Sequence, residues 1–130
     1  MTGKELDVLA HILGRCEKIE DTLNRFGVND FETFQEDRIY REAVAFSVLQ
    51  IGELIKKLSL RFRNENDQVP WQEIQRLRNI VVHHYGALDN GMLWNMAHGG
   101  IDSLRSFCRQ YMASVEEKMP DGDEAWEMEV

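Results

Sequence analysis

Cysteine is scarce, long apolar runs are missing, and nowhere do polar and apolar residues alternate as they do in an exposed strand. The two cysteines, Cys16 and Cys108, lack CxxC spacing and sit in apolar helical patterns. That favours a pair of buried thiols over a disulfide or a metal site. No apolar run approaches the roughly 20 residues needed to span a bilayer. Residues 1–14 lack the basic start and apolar centre of a secretory leader. The expected setting is therefore the cytoplasm, without membrane attachment. The absence of period-2 patterning excludes an all-β or α/β architecture and leaves an all-α chain.

The chain has 130 residues, 43% of them apolar, which suits one domain with one core. Its formal charge of −8 argues against a general nucleic-acid binder, but the charge is unevenly spread. Residues 116–130 carry seven acids against Lys118, a net of −6, which leaves −2 for residues 1–115. The body is thus nearly neutral. The division expected is a helical domain over 1–115 and an acidic, solvated and disordered tail over 116–130. Trp126 and Met128 offer that tail a small anchor, and docking on a basic partner or cleft is the alternative role.

Apolar residues recur close to the helical period throughout. Thr2 and Glu5 form a candidate capping box for a first helix whose stripe is Leu6, Leu9, Leu13, Cys16, Ile19, Leu23 and Phe26, closed by Gly27. Asp30 caps a short extra helix over residues 31–36. It leads into a long helix with Ala43, Phe46, Leu49, Leu54 and Leu58 inward, fraying near residues 61–63, and residues 64–68 form a loop. Pro70 starts a third helix bearing Trp71, Ile74, Leu77 and Val81, which Gly86 can stop. Asn90 is the candidate cap of a fourth, with Leu93, Met96, Ile101, Leu104, Phe107, Tyr111 and Val115 on one side. Four amphipathic helices with short links pack most simply as an antiparallel four-helix bundle.

The third helix carries the chemistry. Between Arg78 and Tyr85 the sequence reads Arg-Asn-Ile-Val-Val-His-His-Tyr. Arginine forks onto phosphate oxygens and histidine moves protons near neutral pH, so the segment reads as a phosphodiester site that needs no metal. At about 100° per residue, Tyr85 falls about 20° from Arg78 but His83 about 140° from it. Either the helix loosens near His83, or two copies of the segment face each other. Asn79 and His83 share a face, so the amide could orient the imidazole. By composition alone, Arg78 or His83 could equally be a satisfied polar group at the core edge and Tyr85 a packing residue. His84 packs or faces solvent. His11 and His98 have no companion ligands, so no metal is expected. Trp71 and Trp94 read as core anchors.

Arg78, His83 and Tyr85 together resemble the RX4HXY signature of HEPN-domain proteins, specifically the HepT toxins of MNT/HEPN toxin–antitoxin pairs. The segment Leu49-Gln-Ile-Gly-Glu-Leu-Ile-Lys-Lys-Leu-Ser59, Trp71 ahead of the motif, and Asp89 and Trp94 after it match the family as well. The similarity covers roughly residues 4–115. It implies a HEPN-like bundle, a homodimer whose two motifs meet in a cleft, and a ribonuclease toxin that cuts RNA without a metal or other cofactor. Arg78 and His83 would be the catalytic pair, with Asn79 and Glu53 in support. A minimal nucleotidyltransferase antitoxin would attach AMP to Tyr85. The competing reading is a non-catalytic helical module that holds a nucleotide or protein and partners a nucleotidyltransferase.

Overall fold

The computed structural model describes residues 3–26 and 30–117. The Thr2–Glu5 box, the Gly27 stop and nearly all of the acidic tail lie outside them. The described residues are helical almost throughout. In chain order the elements are α1 (Gly3–Phe26), α2 (Phe31–Glu36), α3 (Arg38–Ile55), α4 (Leu60–Glu65), α5 (Trp71–His83), a 3-10 turn (Tyr85–Ala87), α6 (Asn90–His98) and α7 (Gly100–Glu117). No helix among the described residues is long and apolar enough to cross a membrane.

The expected bundle is present, with α3 at its centre. It packs on α1 to one side and α5 to the other, while α7 packs on α1 and α6 bridges α7 and α3. Trp71 of α5 meets Phe107 of α7 edge-on at 5.8 Å. The core runs from Leu9, Ile12, Cys16 and Ile19 through Val44, Val48, Ile51 and Ile55 to Ile74, Leu77, Leu93, Ile101 and Leu104. Trp71 and Trp94 are anchors as expected. Trp71 is buried and its Nε1 donates to the Asn66 carbonyl at 3.0 Å. Trp94 packs on Phe34 at 5.1 Å and meets Tyr40 edge-on. Both cysteines are free and buried. Burial pushes the Cys16 thiol up, and carries Cys108 up to about 12.

The turns are set by side-chain caps. Asp30 caps α2 by accepting from the Thr33 amide at 3.0 Å, and Asp37 caps α3 through the amides of Ile39 and Tyr40. Asp89, not Asn90, caps α6, taking the amides of Gly91 and Met92, because Asn90 is already the first helical residue.

Three expectations need correcting. The long third segment is not one helix to Leu58: α3 stops at Ile55, and Ser59 starts α4 by accepting from the Phe62 amide at 3.0 Å. The last helix is broken at Gly99, whose ψ of −78° leaves the helical path and separates α6 from α7. On α3 the buried face is Tyr40, Val44, Val48, Ile51 and Ile55, whereas Phe46 is 59% exposed. A helix packed on several sides is apolar nearly all round, so the pattern alone does not say which stripe faces the centre.

The Arg78–Tyr85 segment and its surroundings

Arg78 lies in the middle of α5 on the side that meets α3. Its aliphatic stem lies against Gly52, where an added Cβ would come within 2.5 Å of Arg78 Cγ and 2.6 Å of Arg78 Cβ. Only a residue without a side chain lets the two helices approach this closely. The side chain is 13% exposed and its guanidinium forks: Nη2 pairs with Glu53 Oε1, and Nη1 donates to Asn79 Oδ1 at 2.9 Å. Its Nε is buried without a hydrogen-bond partner among the described residues.

The Arg78 hydrogen bond, ahead of its charge and that of Lys56 at 3.8 Å, holds the Glu53 carboxyl below the usual glutamate range. The folded value is depressed, so the pair's contribution is complete above the ordinary glutamate pKa and fades as pH falls through the lowered one. A carboxyl-resolved NMR titration should find the Glu53 midpoint below that of a free glutamate. In an Arg78→Ala protein that midpoint should return toward the ordinary value. An identical midpoint in both proteins would mean that this pair does not exist in solution.

His83 is the last residue of α5 and is exposed, and its ring makes no hydrogen bond to another described residue. The helix stays regular up to His83, so the offset of about 140° from Arg78 holds within one chain. The anticipated loosening comes one residue too late to turn His83 toward Arg78. It falls at His84, whose φ of −142° and ψ of 45° end the helix, and it carries Tyr85 into the 3-10 turn, 45% exposed. The Asn79 side-chain oxygen accepts from Arg78, and the Asn79 side chain makes no bond to the His83 ring. The orienting role expected of it is therefore directed at the guanidinium. The outer face of α5 carries Gln72, Arg76, Asn79 and His83 at helical spacing.

Several exposed apolar residues stand on α3 and α5. Ile39 and Phe46 stand seven apart on α3, in the same stripe as Glu53, and are 64% and 59% exposed; Val82 of α5 is 41% exposed.

The model of the ribonuclease HepT-like family matches residues 12–111. The chain belongs to the ribonuclease HepT-like family. Similar proteins include a probable ribonuclease HepT of Thermococcus cleftensis, 32% identical over 81% of this chain and 93% of its own. A candidate RNase of Caldanaerobacter subterraneus subsp. tengcongensis is 34% identical over 66% of this chain and 74% of its own. Another from Methanocaldococcus jannaschii is 32% identical over 69% and 74%. No solved structure matches the chain.

Two residues near the HepT-like motif escape a motif-based reading. Arg63 of α4 and Arg76 of α5 line one groove with Asn79. The available signal is charge: residues 54–63 hold Lys56, Lys57, Arg61 and Arg63 and no acid.

Proposed function

We propose that this chain is the toxin of a toxin–antitoxin pair and a metal-independent endoribonuclease working at a homodimer cleft. His83 removes the proton of a ribose 2′-hydroxyl, or returns one to the leaving 5′-oxygen, while the 2′-oxygen attacks phosphorus. The bond to the 5′-oxygen breaks, leaving a 2′,3′-cyclic phosphate. Arg78 stabilises the charge that builds on the phosphoryl oxygens. Glu53 and Asn79 hold its fork in position from two sides, acting through Arg78 and not on RNA.

The carrying observation is that Arg78 and His83 point away from each other within one regular helix. A phosphate can meet both only if the second comes from another copy, and the exposed Phe46 of α3 and Val82 of α5 offer apolar surface for such a copy. A shared cleft makes a sharp prediction. Arg78→Ala and His83→Ala proteins, each inactive, should regain about a quarter of wild-type cleavage when subunits are exchanged, since half the dimers are mixed and each has one complete site. No regain after confirmed exchange would place both groups in one chain.

Tyr85 is exposed two residues after His83, which suits modification. Its AMPylation by a minimal nucleotidyltransferase antitoxin would add bulk and negative charge beside the cleft and repel the RNA phosphate. The deciding assay is cleavage of a defined RNA in EDTA by protein whose mass shows Tyr85 unmodified, with His83→Ala in parallel. Cyclic phosphate ends that vanish with the substitution establish the ribonuclease. No cleavage across varied RNAs by an unmodified dimer would favour a non-catalytic module partnering a nucleotidyltransferase.

A further inference from the structure

Beside the motif, α4 and α5 enclose a groove of about 380 Å3 lined by Arg63, Trp71, Gln72, Gln75, Arg76 and Asn79, within the range of small-ligand clefts. Two cations and three side-chain amides meet there without an acid. Neither Arg63 nor Arg76 forms an ion pair among the described residues, unlike Arg61, which pairs with Glu65 at 2.9 Å. Arg63 Nε and Gln75 Oε1 are buried with no hydrogen-bond partner among those residues, a costly state that a polar ligand would relieve. The acids nearby, Asp67 and Glu73, line the adjoining cavity, which shares Arg63, Trp71 and Gln72 with the groove, and Glu73 also lines a cavity with Arg76.

The groove exists because the chain breaks after Ile55. Ser59 starts α4 in a new direction, and Phe62 packs against Trp71 at 6.4 Å, while the Asn66 amide returns to the Phe62 carbonyl. Arg63 is thereby held over α5. On that helix Gln72, Arg76, Asn79 and His83 fall on one face, and Arg76 precedes His83 by about 10 Å of helix rise. A strand whose scissile bond lies at His83 passes over the groove with a neighbouring nucleotide.

We infer that the α4–α5 groove is a substrate subsite, in which Arg63 and Arg76 hold a backbone phosphate of single-stranded RNA next to the cleavage point and the amides of Gln72 and Gln75 meet its base. This rests on the ribonuclease reading for its location, but its occupant is bound rather than cut. Neutralising a phosphate releases counterions, so binding weakens with salt at a log–log slope of about −0.7 per neutralised phosphate for single strands. Side-chain amides read the edges of unstacked bases.

The test is binding of a 2′-O-methyl RNA oligonucleotide, which lacks the attacking hydroxyl, to wild type, Arg63→Gln/Arg76→Gln and Arg76→Gln as a function of salt. The double variant should bind roughly tenfold or more weakly at low salt, with a slope shallower by about 0.7. Arg76→Gln alone, at an exposed position, should lose about half of that slope and guards against a folding defect at Arg63. For cleavable RNA, KM should rise by a larger factor than kcat falls. Unchanged affinity and slope in both variants would overturn the subsite, even if wild type cleaves RNA. Altered slopes with no cleavage by wild type would retain the subsite and remove the ribonuclease reading alone.

Discussion

Replacing His83 with alanine is expected to slow RNA cleavage by about 10²- to 10⁴-fold, the usual worth of a positioned acid–base group. Folded stability should change by no more than about 0.5 kcal/mol. Both halves follow from where His83 stands. It is the exposed last residue of α5, and its side chain packs into no core and holds no hydrogen bond to another described residue, so its removal costs the bundle almost nothing. Arg78 is a poorer first probe. Its stem fills the contact with Gly52 and its guanidinium neutralises Glu53, so alanine there removes packing and strands a carboxylate as well as any chemistry. Arg78→Lys keeps the charge but not the fork, and should leave the bundle intact while cleavage still falls. A folded His83→Ala protein that cuts RNA at the wild-type rate would remove the histidine from the mechanism.

How much of this could be read from residues alone varies from element to element. On α5, Trp71, Ile74, Leu77 and Val81 were legible because one side of that helix is plainly polar, and all four are buried. The opposite held for α3, where Phe46 falls in a plausible stripe yet faces out; only the neighbours of a central helix decide which stripe is buried. The break before α4 depends on Ser59 as a cap, a local hydrogen bond that a lone serine announces weakly. Gly99 and Gly100 were a clearer warning of the α6–α7 break, since adjacent glycines weaken a helix. For the motif, helix geometry indicated that Arg78 and His83 diverge. What it did not provide was the partner set of Arg78: Asn79 turns to the arginine, not the histidine. Arg63 and Arg76 became neighbours only through the α4 break, so no linear motif links them.

Gly52→Ala is expected to destabilise the fold by about 1–3 kcal/mol, the ordinary cost of overpacking, and to lower the thermal midpoint by several degrees. The added methyl would fall 2.5 Å from Arg78 Cγ and 2.6 Å from Arg78 Cβ. The latter is fixed to the α5 backbone, so no rotamer change clears the clash and the two helices must separate. Separation draws the guanidinium away from Glu53, so the Glu53 titration should move toward the ordinary glutamate value and RNA cleavage should fall with it. Gly14→Ala supplies the control. Gly14 also lies inside a long helix, but its added Cβ would meet nothing within 4 Å. There alanine should stabilise by about 0.5–1 kcal/mol through helix propensity. The same substitution in two helices should therefore have opposite signs, and the difference isolates the contact between Gly52 and Arg78. If Gly52→Ala instead melted at or above the wild-type temperature with Glu53 unshifted, α3 and α5 would not meet as closely as described, and Arg78 would lose its fixed orientation in the proposed cleft.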